Sequence, residues 1–209
     1  MDFKKLCEER RTERAFDSKV NISDAELRSI FKLAFNTPSA FNLQHWRFVV
    51  TRQQSVKSDL FELCYFQRQI LDCSAVITIC GNLRAYLDAE LIYKDQTTEV
   101  KDKFIPMIKA IYSDDPKLQR DEVMRSGGLV AMSLIYAAKN EGWDTGPMIG
   151  FDAEKVSLRL NLEENITPVM MITVGKRMGR ISLEARPFRY SLKDVVHLET
   201  YSNVVLDQA

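Results

Sequence analysis

The apolar positions near the N-terminus predict a helix that begins after Ser23. The run Ser23-Asp-Ala-Glu26 has the capping-box pattern, in which a hydroxyl and a later glutamate bind free backbone N–H groups at a helix start. Around it, apolar side chains recur at helical spacing at Ile22, Leu27, Ile30, Phe31 and Ala34. Pro38 stops this run. The helix therefore delivers the chain to a loop at residues 38–44.

Three short apolar runs predict strands, and a long apolar run predicts a helix between the second and the third. The strands are predicted at Arg47–Thr51, Ala75–Cys80 and Pro168–Gly175. The helix is predicted from about Glu122 to Asn140, with Gly142 as its C-terminal cap. Its residues leave little polar surface, so it needs cover on more than one face. It is either the central helix of a large core or part of a dimer interface.

A second helical region is predicted at about residues 83–118, where Leu83–Tyr93 and Lys101–Tyr112 are amphipathic. It packs over the body as an excursion and either lines a substrate mouth or forms a plain structural hairpin. A C-terminal extension is predicted at about residues 186–209. Because the chain has no internal repeat and no low-complexity linker, residues 1–209 are predicted to form a single domain of the α/β or α+β sandwich class.

Composition excludes several classes of function. Lys plus Arg and Asp plus Glu both total 29, so no global field concentrates nucleic acid or an anionic membrane. No stretch approaches membrane-spanning length and the N-terminus has no apolar signal region, which predicts a soluble cytoplasmic protein. The four cysteines show no metal-binding or CxxC spacing and are predicted to be buried reduced thiols. No Walker, HExxH, GxSxG or dinucleotide-binding GxGxxG motif is present.

Three polar segments carry the candidate chemistry. In Arg10-Arg-Thr-Glu-Arg14, guanidiniums and a hydroxyl suit phosphate oxygens, although a solvated charge run would look the same. In the 38–44 loop, Pro38 and Ser39 shape a turn whose later amides can donate to and accept from a flat polar ligand. In Gly146-Pro-Met-Ile-Gly150, the glycines predict a tight turn that brings backbone N–H groups against a ligand, and Asp152 then caps a helix.

These segments, in this order, resemble the nitroreductase family of FMN-dependent oxidoreductases over nearly the whole chain, from about Phe3 to about His197. The resemblance implies an α+β sandwich with a central, mostly antiparallel sheet flanked by helices, in a domain-interlocked homodimer. It also implies a ping-pong reaction that passes hydride from NAD(P)H through flavin N5 to a nitroaromatic, a quinone or a similar electron-poor acceptor. NAD(P)H would bind as a substrate over the flavin, because the chain lacks a dinucleotide-binding motif of its own.

The resemblance assigns roles to individual residues. Arg10 and Thr12 hold the FMN phosphate region, and Arg14 reaches the N1/O2 edge of the ring. The N–H groups of Ile149 and Gly150 face N5 and O4, and no side chain is catalytic because the flavin carries the chemistry. The complete predicted cofactor set is Arg10, Arg11, Thr12, Arg14, Pro38, Ser39, Asn42, Gln44, Gln69, Met148, Ile149, Gly150, Arg186 and Arg189.

Within this set, Pro38, Ser39 and Asn42 are expected on the FMN of the partner subunit. Gln69 is expected at the pyrimidine edge. Arg189, or Arg186 in its place, is expected to close on the phosphate.

The chain departs from the family pattern at two positions. His45 stands where the family usually has proline, and we interpret it as a neutral or solvent-facing histidine rather than a base. Phe66 stands where the family often has asparagine. Two other functions fit the same fold: a flavin-binding store or sensor without turnover, and a reductase of one metabolite such as an activated alkene or a halogenated aromatic.

Overall fold

The computed structural model describes residues 2–179 and 186–201. The chain divides into two compact units, Met1–Gly179 and Arg180–Ala209. The first unit contains the sheet and the helices that surround it. In the described part of the second unit, a short helix, α9, spans Leu192–Val195 after the capping residue Ser191. The end of the predicted C-terminal extension, residues 202–209, lies outside the described residues.

The sheet of the first unit is antiparallel throughout. Its strands are β1 Trp46–Thr51, β2 Ala75–Asn82, β3 Asp144–Met148 and β4 Ile166–Gly175. The strand order is β1-β2-β4-β3, so β1 and β3 are the two edges. All three predicted strands are present, and β3 is a fourth that the sequence patterns did not predict. Together with the flanking helices, this sheet confirms the predicted α+β class.

Eight α-helices lie in the described part of the first unit. They are α1 Phe3–Glu9, α2 Asp24–Ala34, α3 Gln54–Leu63, α4 Gln69–Asp72, α5 Ala89–Ile92, α6 Thr98–Tyr112, α7 Pro116–Asn140 and α8 Ala153–Arg159. Short 3-10 turns occur at Ala40–Asn42 and Ala85–Asp88. The capping box of α2 is formed as predicted, since Ser23 Oγ accepts from the Glu26 N–H at 3.2 Å and the Glu26 carboxylate accepts from the Ser23 N–H at 2.9 Å.

The long helix α7 starts earlier than predicted. Asp115 caps its N-terminus by accepting from the Leu118 N–H at 2.8 Å, and Pro116 occupies the first turn, where a missing N–H costs nothing. Its end is the predicted one, because Gly142 has a φ of +78° and the Trp143 N–H donates to the Ala138 carbonyl at 2.8 Å. In the described ranges, no helix is long and apolar enough to cross a bilayer.

Helices cover both faces of the sheet. On one face, α2 and α7 pack on Ile77, Ile79 and Ile172. On the other face, α3, α4 and α8 pack on Val76 and Met171. A third apolar cluster joins the 83–118 region to the 38–44 loop: Leu43, Ala85, Ala89, Ile108 and Tyr112. The sheet is therefore buried between two helical layers, and the predicted functional segments lie at its edges and ends.

Three of the four cysteines are buried as predicted. Burial raises the pKa of the thiols of Cys64, Cys73 and Cys80 to about 12. Cys7 is partly exposed, and its sulfur lies 3.5 Å from the Tyr136 hydroxyl. All four thiols are free.

Candidate functional site

The N-terminal polar segment lies along the edge strand β3. Thr12 forms a parallel bridge with Thr145, and the Glu13 N–H donates to the Thr145 carbonyl at 2.9 Å. A Cβ at Gly146 would lie 2.3 Å from the Glu13 carbonyl oxygen, so only glycine permits this approach. Two of the three predicted segments are thus in direct contact through their backbones.

This contact corrects the prediction of a tight turn between Gly146 and Gly150. Residues up to Met148 are strand, paired with β4 up to Met171. Pro147 is tolerated because β3 is an edge strand, where a missing N–H can face away from the neighbouring strand. The chain leaves the sheet only at Ile149, and Asp152 then caps α8 as predicted by accepting from the Lys155 N–H at 3.1 Å.

Glu13 holds this N-terminal segment in place, and the sequence patterns gave it no role. One carboxylate oxygen accepts from the N–H groups of Arg14 and Ala15, both at 2.9 Å. The other oxygen lies 3.2 Å from the Arg177 Nε, just after β4. Glu13 is the only acidic residue between Arg10 and Arg14, and this position among arginines is the feature of the sequence that could have indicated an ion pair.

The predicted phosphate-binding residues follow α1 directly. The Arg10 N–H caps the helix by donating to the Leu6 carbonyl at 3.0 Å. Arg10 and Arg11 are half-buried, whereas Thr12 and Arg14 are exposed. The backbone of the segment is therefore fixed, and its hydroxyl and the Arg14 guanidinium point to the accessible side.

Gln69 lies against β3, with its side chain buried and only half satisfied. Its Nε2 is 3.2 Å from the Met148 sulfur. Its Oε1 has no hydrogen-bond partner among the described residues, although the residue is only 5% exposed. A Cβ at Gly146 would lie 3.3 Å from this oxygen. A buried acceptor without a donor is costly, so this oxygen is a candidate to accept from a ligand N–H.

Ile149 and Gly150 form the exposed end of the same edge. The Ile149 side chain is 75% exposed. Neither backbone N–H has a hydrogen-bond partner in the described parts of the chain. The Gly150 carbonyl accepts from Gln67 Nε2 at 2.8 Å, a contact that the sequence patterns did not predict. Two neighbouring N–H donors are therefore available where the β3 edge leaves the sheet.

The 38–44 loop contains three residues in the left-handed backbone region. Phe41, Asn42 and Gln44 have φ values of 51°, 55° and 47°. Ser39 supports this backbone, because its Oγ accepts from the Gln44 N–H at 2.9 Å and its carbonyl accepts from the Asn42 N–H at 3.0 Å. Pro38 and the side chains of Asn42 and Gln44 are exposed. The Gln44 amide folds back on the loop, where its Nε2 donates to the Asn42 carbonyl at 3.2 Å, and ligand binding by this loop stays a prediction.

Within one chain, this loop does not join the other two segments. It leads into β1 at one edge of the sheet, whereas residues 10–14 and 146–150 lie at the β3 edge. Three strand spacings of about 4.8 Å separate the edges, roughly 14 Å in all. The structure therefore assembles residues 10–14, Gln69 and 148–150 in one place and leaves the 38–44 loop in another.

His45 is buried rather than solvent-facing. It is 3% exposed, and its Nδ1 lies 3.1 Å from the Ser126 Oγ. Burial lowers its pKa below the ordinary 6.5, Arg47 lowers it further, and Glu122 opposes both. The histidine is therefore neutral near neutral pH, one of the two predicted alternatives.

The remaining predicted residues belong to the second unit or depart from the family pattern. Arg186 and Arg189 are exposed in the second unit, where Arg189 Nη1 donates to the Phe188 carbonyl at 3.4 Å. Their approach to a phosphate stays a prediction. Phe66 is 68% exposed with a φ of 58°, near the Gln67 and Gly150 contact.

Comparison with known proteins identifies the family. The family model described as the nitroreductase family matches residues 7–176. MhqN of Bacillus subtilis strain 168, named as an NAD(P)H nitroreductase, is 37% identical over 202 residues, which cover 93% of this chain and 98% of MhqN.

Two further relatives bear on the chemistry. A nitroreductase from Exiguobacterium sibiricum, solved in complex with FMN, superposes with a TM-score of 0.87 at 30% identity, over 94% of this chain and 97% of that one. The CLA biosynthesis enone reductase of Lactiplantibacillus plantarum is 29% identical over 80% of this chain and 82% of its own. The chain belongs to the nitroreductase family.

Proposed function

We propose that this protein is an FMN-dependent oxidoreductase that passes hydride from NAD(P)H to nitroaromatic, quinone or similar electron-poor acceptors. The observation that carries the proposal is the buried Gln69 oxygen, which has no partner among the described residues and lies against the same β3 edge that ends in the free N–H groups of Ile149 and Gly150. An acceptor and two donors along one edge of the sheet would suit the imide edge of a flavin, where an N–H stands between two carbonyls. The FMN-bound relative, similar over 94% of this chain, supports the same assignment.

The residues at the β3 edge suit the separate parts of FMN. Arg10, Arg11 and Thr12 would hold the phosphate, since guanidiniums bind phosphate oxygens in a bidentate manner. Arg14 and Gln69 would meet the pyrimidine edge. Ile149 and Gly150 would donate from their backbones, where Met148 ends the strand. Arg189, or Arg186, would add a further cation for the phosphate. When bound, FMN supplies the hydride chemistry at its N5 atom.

The protein's own contribution is orientation and electrostatics. Backbone N–H groups that are already fixed in place stabilise developing negative charge without reorganising. The Glu13 carboxylate fixes Arg14, and β3 fixes Met148 up to the point where Ile149 begins. The two substrates would take turns in a ping-pong cycle: NAD(P)H gives up its hydride and leaves as NAD(P)⁺ before the acceptor enters the same space.

A homodimer completes the proposed site. The loop with Pro38, Ser39, Asn42 and Gln44 lies at the opposite edge of the sheet from its own chain's residues 10–14 and 148–150, so in this proposal a second copy would supply it. Helix α7 offers a surface for this copy, because Leu129 is 50% exposed and a Cβ at Gly128 would meet nothing within 4 Å. An exposed glycine inside a helix costs about 1 kcal/mol relative to alanine, and a closely packed partner would account for it. We place this dimer in the cytoplasm.

A second candidate acceptor is an activated alkene. The enone reductase of Lactiplantibacillus plantarum, 29% identical over 177 residues, favours it. The same hydride donor would serve, and the difference would lie in which acceptor fits beside Ile149. The two candidates therefore share the cofactor and differ only in the second half-reaction.

Anaerobic half-reactions test these proposals. Purified protein should show a flavin absorbance spectrum, and NADH or NADPH should bleach it. A quinone, a nitroaromatic or an enone, added separately, should then restore the oxidised flavin spectrum. The acceptor that reoxidises the flavin fastest identifies the class of substrate. Double-reciprocal plots of steady-state rate against NAD(P)H concentration, at several fixed acceptor concentrations, should give parallel lines. Protein without flavin would overturn the proposal, whereas bound flavin that NAD(P)H does not reduce would indicate a store or sensor.

A further inference from the structure

Gln67 connects the two halves of the proposed ring site. Its Nε2 donates to the Gly150 carbonyl at 2.8 Å and to the Cys64 carbonyl at 3.0 Å. Both partners are carbonyl oxygens, which only accept, so the side-chain amide must present its NH₂ group to them. Its Oε1 consequently faces the other way.

Gln69 stands next in this chain of amides. Its Nε2 lies 3.5 Å from the Gln67 Oε1, a long hydrogen bond, and 3.2 Å from the Met148 sulfur. Because Gln67 offers Gln69 only an acceptor, Gln69 must also present its NH₂ group. Its own Oε1 is then left as the buried acceptor without a partner. The orientation of one amide thus determines the orientation of the next.

The segment that carries the free N–H groups is held at its two ends, by the pairing of Met148 with Met171 before it and by the Asp152 N–H, which donates to the Leu63 carbonyl at 2.9 Å, after it. The Ile149 side chain is 75% exposed, so burial does not anchor it. The Phe151 N–H donates to the Ile149 carbonyl at 3.1 Å within the segment itself. Gly150 has no side chain, and a Cβ there would lie 3.0 Å from the Gln67 Nε2. The Gln67 amide therefore occupies the space beside Gly150 and fixes its peptide.

We propose that Gln67 is a positioning residue that sets both sides of the ring site. It places the Gly150 peptide and turns the Gln69 oxygen toward a ligand N–H. The inference rests on the proposed function, because it concerns the same flavin. It predicts that Gln67 controls affinity for the ring rather than for the phosphate.

Substitution of Gln67 by methionine removes both hydrogen-bonding groups at similar length. These hydrogen bonds join uncharged groups away from the phosphate. Their loss should therefore lower the affinity for FMN and for riboflavin equally, by about tenfold or more. The two-electron midpoint potential should also fall, because misplaced N–H donors stabilise the reduced ring less. Fluorescence quenching and spectroelectrochemistry measure the two effects.

Gln119→Met is the matched control. Gln119 Nε2 also donates to a backbone carbonyl, that of Tyr112, at 2.7 Å, but it lies outside the proposed site. This variant should lose a comparable hydrogen bond and leave flavin affinity and potential unchanged. If Gln67→Met matches Gln119→Met in both readouts while the parent binds flavin, the positioning role is wrong.

Gln67→Glu provides a test that does not depend on tolerance of methionine. A protonated carboxyl can donate to the Gly150 carbonyl, whereas a carboxylate cannot. Riboflavin, which lacks a titrating phosphate, should bind this variant about tenfold more weakly as pH rises from about 3.5, below the ordinary glutamate pKa of about 4.3, to about 8, and the parent should show no such change. A flat profile in the variant would overturn the inference. Absence of flavin binding in the parent would instead overturn the proposed function.

Discussion

The Glu13 carboxylate lies 3.2 Å from the Arg177 Nε and joins the N-terminal segment to the chain that leaves β4. The two side chains are only 14% and 26% exposed, so water screens them little. The same carboxylate accepts from the N–H groups of Arg14 and Ala15. One acidic side chain thus helps the backbone contacts with β3 to hold the segment that carries the proposed phosphate and ring-edge residues.

Glu13→Ala should therefore lower the free energy of unfolding by about 1.5–3 kcal/mol, the range for hydrogen bonds to a charged group. It should also weaken FMN binding, because residues 10–14 lose the side chain that holds them. Urea unfolding and a double-mutant cycle with Arg177→Met measure the coupling. Glu90→Ala is the control: its ion pair with Lys109 is exposed, and such pairs contribute about 0–1 kcal/mol. Equal losses from Glu13→Ala and Glu90→Ala would contradict the anchor.

Local patterns predicted the elements whose causes are local. Helix α2 was predicted because its capping box and apolar stripe lie within a few residues of one another. Strand β3 was missed because Gly146 and Pro147 are poor strand formers. They are present for a reason that lies far away in the sequence, the approach of the Glu13 carbonyl. The sequence patterns therefore assigned Gly146 and Pro147 to a turn, whereas both lie in strand β3.

The candidate site shows the same division. The residues with recognisable chemistry, such as Arg14 and Gln69, were predicted from the family pattern, and their contact with FMN stays a prediction. Gln67 was missed because its partner Gly150 is 83 residues away and offers only a backbone carbonyl. The placement of the 38–44 loop at the opposite edge was also invisible, since it follows from the strand order. The sequence thus indicates which side chains can bind a ligand, and the order of the strands determines which of them lie close together.

The phosphate assignment predicts selective losses. Arg10→Ala and Arg189→Ala should each weaken FMN by roughly 1.5–3 kcal/mol, because each removes a hydrogen bond to a charged group. Riboflavin lacks the phosphate and should respond little. Titration of both ligands against the parent and each variant makes the comparison. Equal losses for FMN and riboflavin would assign the arginines to folding rather than to phosphate.

The proposed dimer predicts that a large side chain at Gly128 separates the two chains. Light scattering of the parent should give twice the 24.1 kDa of one chain. Gly128→Trp should release single chains and FMN together, because it would block the partner that supplies the 38–44 loop. In a free chain, Gly128→Ala would only stabilise the helix, by up to about 1 kcal/mol. A parent that binds flavin as a single chain would refute the shared site.

Burial of His45 predicts a loss of stability in acid. The lowered pKa means that the folded chain keeps the ring neutral while the unfolded chain takes up a proton below about 6.5. This contribution is fully present above pH 6.5 and is lost as pH falls toward the lowered folded value. The slope is at most about 1.4 kcal/mol per pH unit for one group. Urea unfolding at several pH values should show a smaller acid loss in His45→Gln than in the parent. Identical profiles would show that the ring does not titrate on unfolding.

The last prediction concerns Arg14 and the potential of bound FMN. Two-electron reduction near neutral pH tends to leave negative charge at N1, so a guanidinium at that edge favours the reduced form. The structure holds the Arg14 backbone through Glu13 and leaves its side chain exposed, and no ion pair competes for it among the described residues. A charge placed in this way should act on the potential as well as on affinity.

Removing that charge should lower the midpoint. Arg14→Gln should forfeit about 1–3 kcal/mol of differential stabilisation, and since about 1.4 kcal/mol corresponds to roughly 30 mV for a two-electron couple, the midpoint should fall by ~20–60 mV. Arg14→Lys keeps the charge and should recover most of the shift. Spectroelectrochemical titration with saturating FMN separates a changed potential from weakened binding. An unchanged midpoint in Arg14→Gln would return this residue to a solvated charge run, because a guanidinium beside N1 could not be removed without changing the relative stability of the two redox forms.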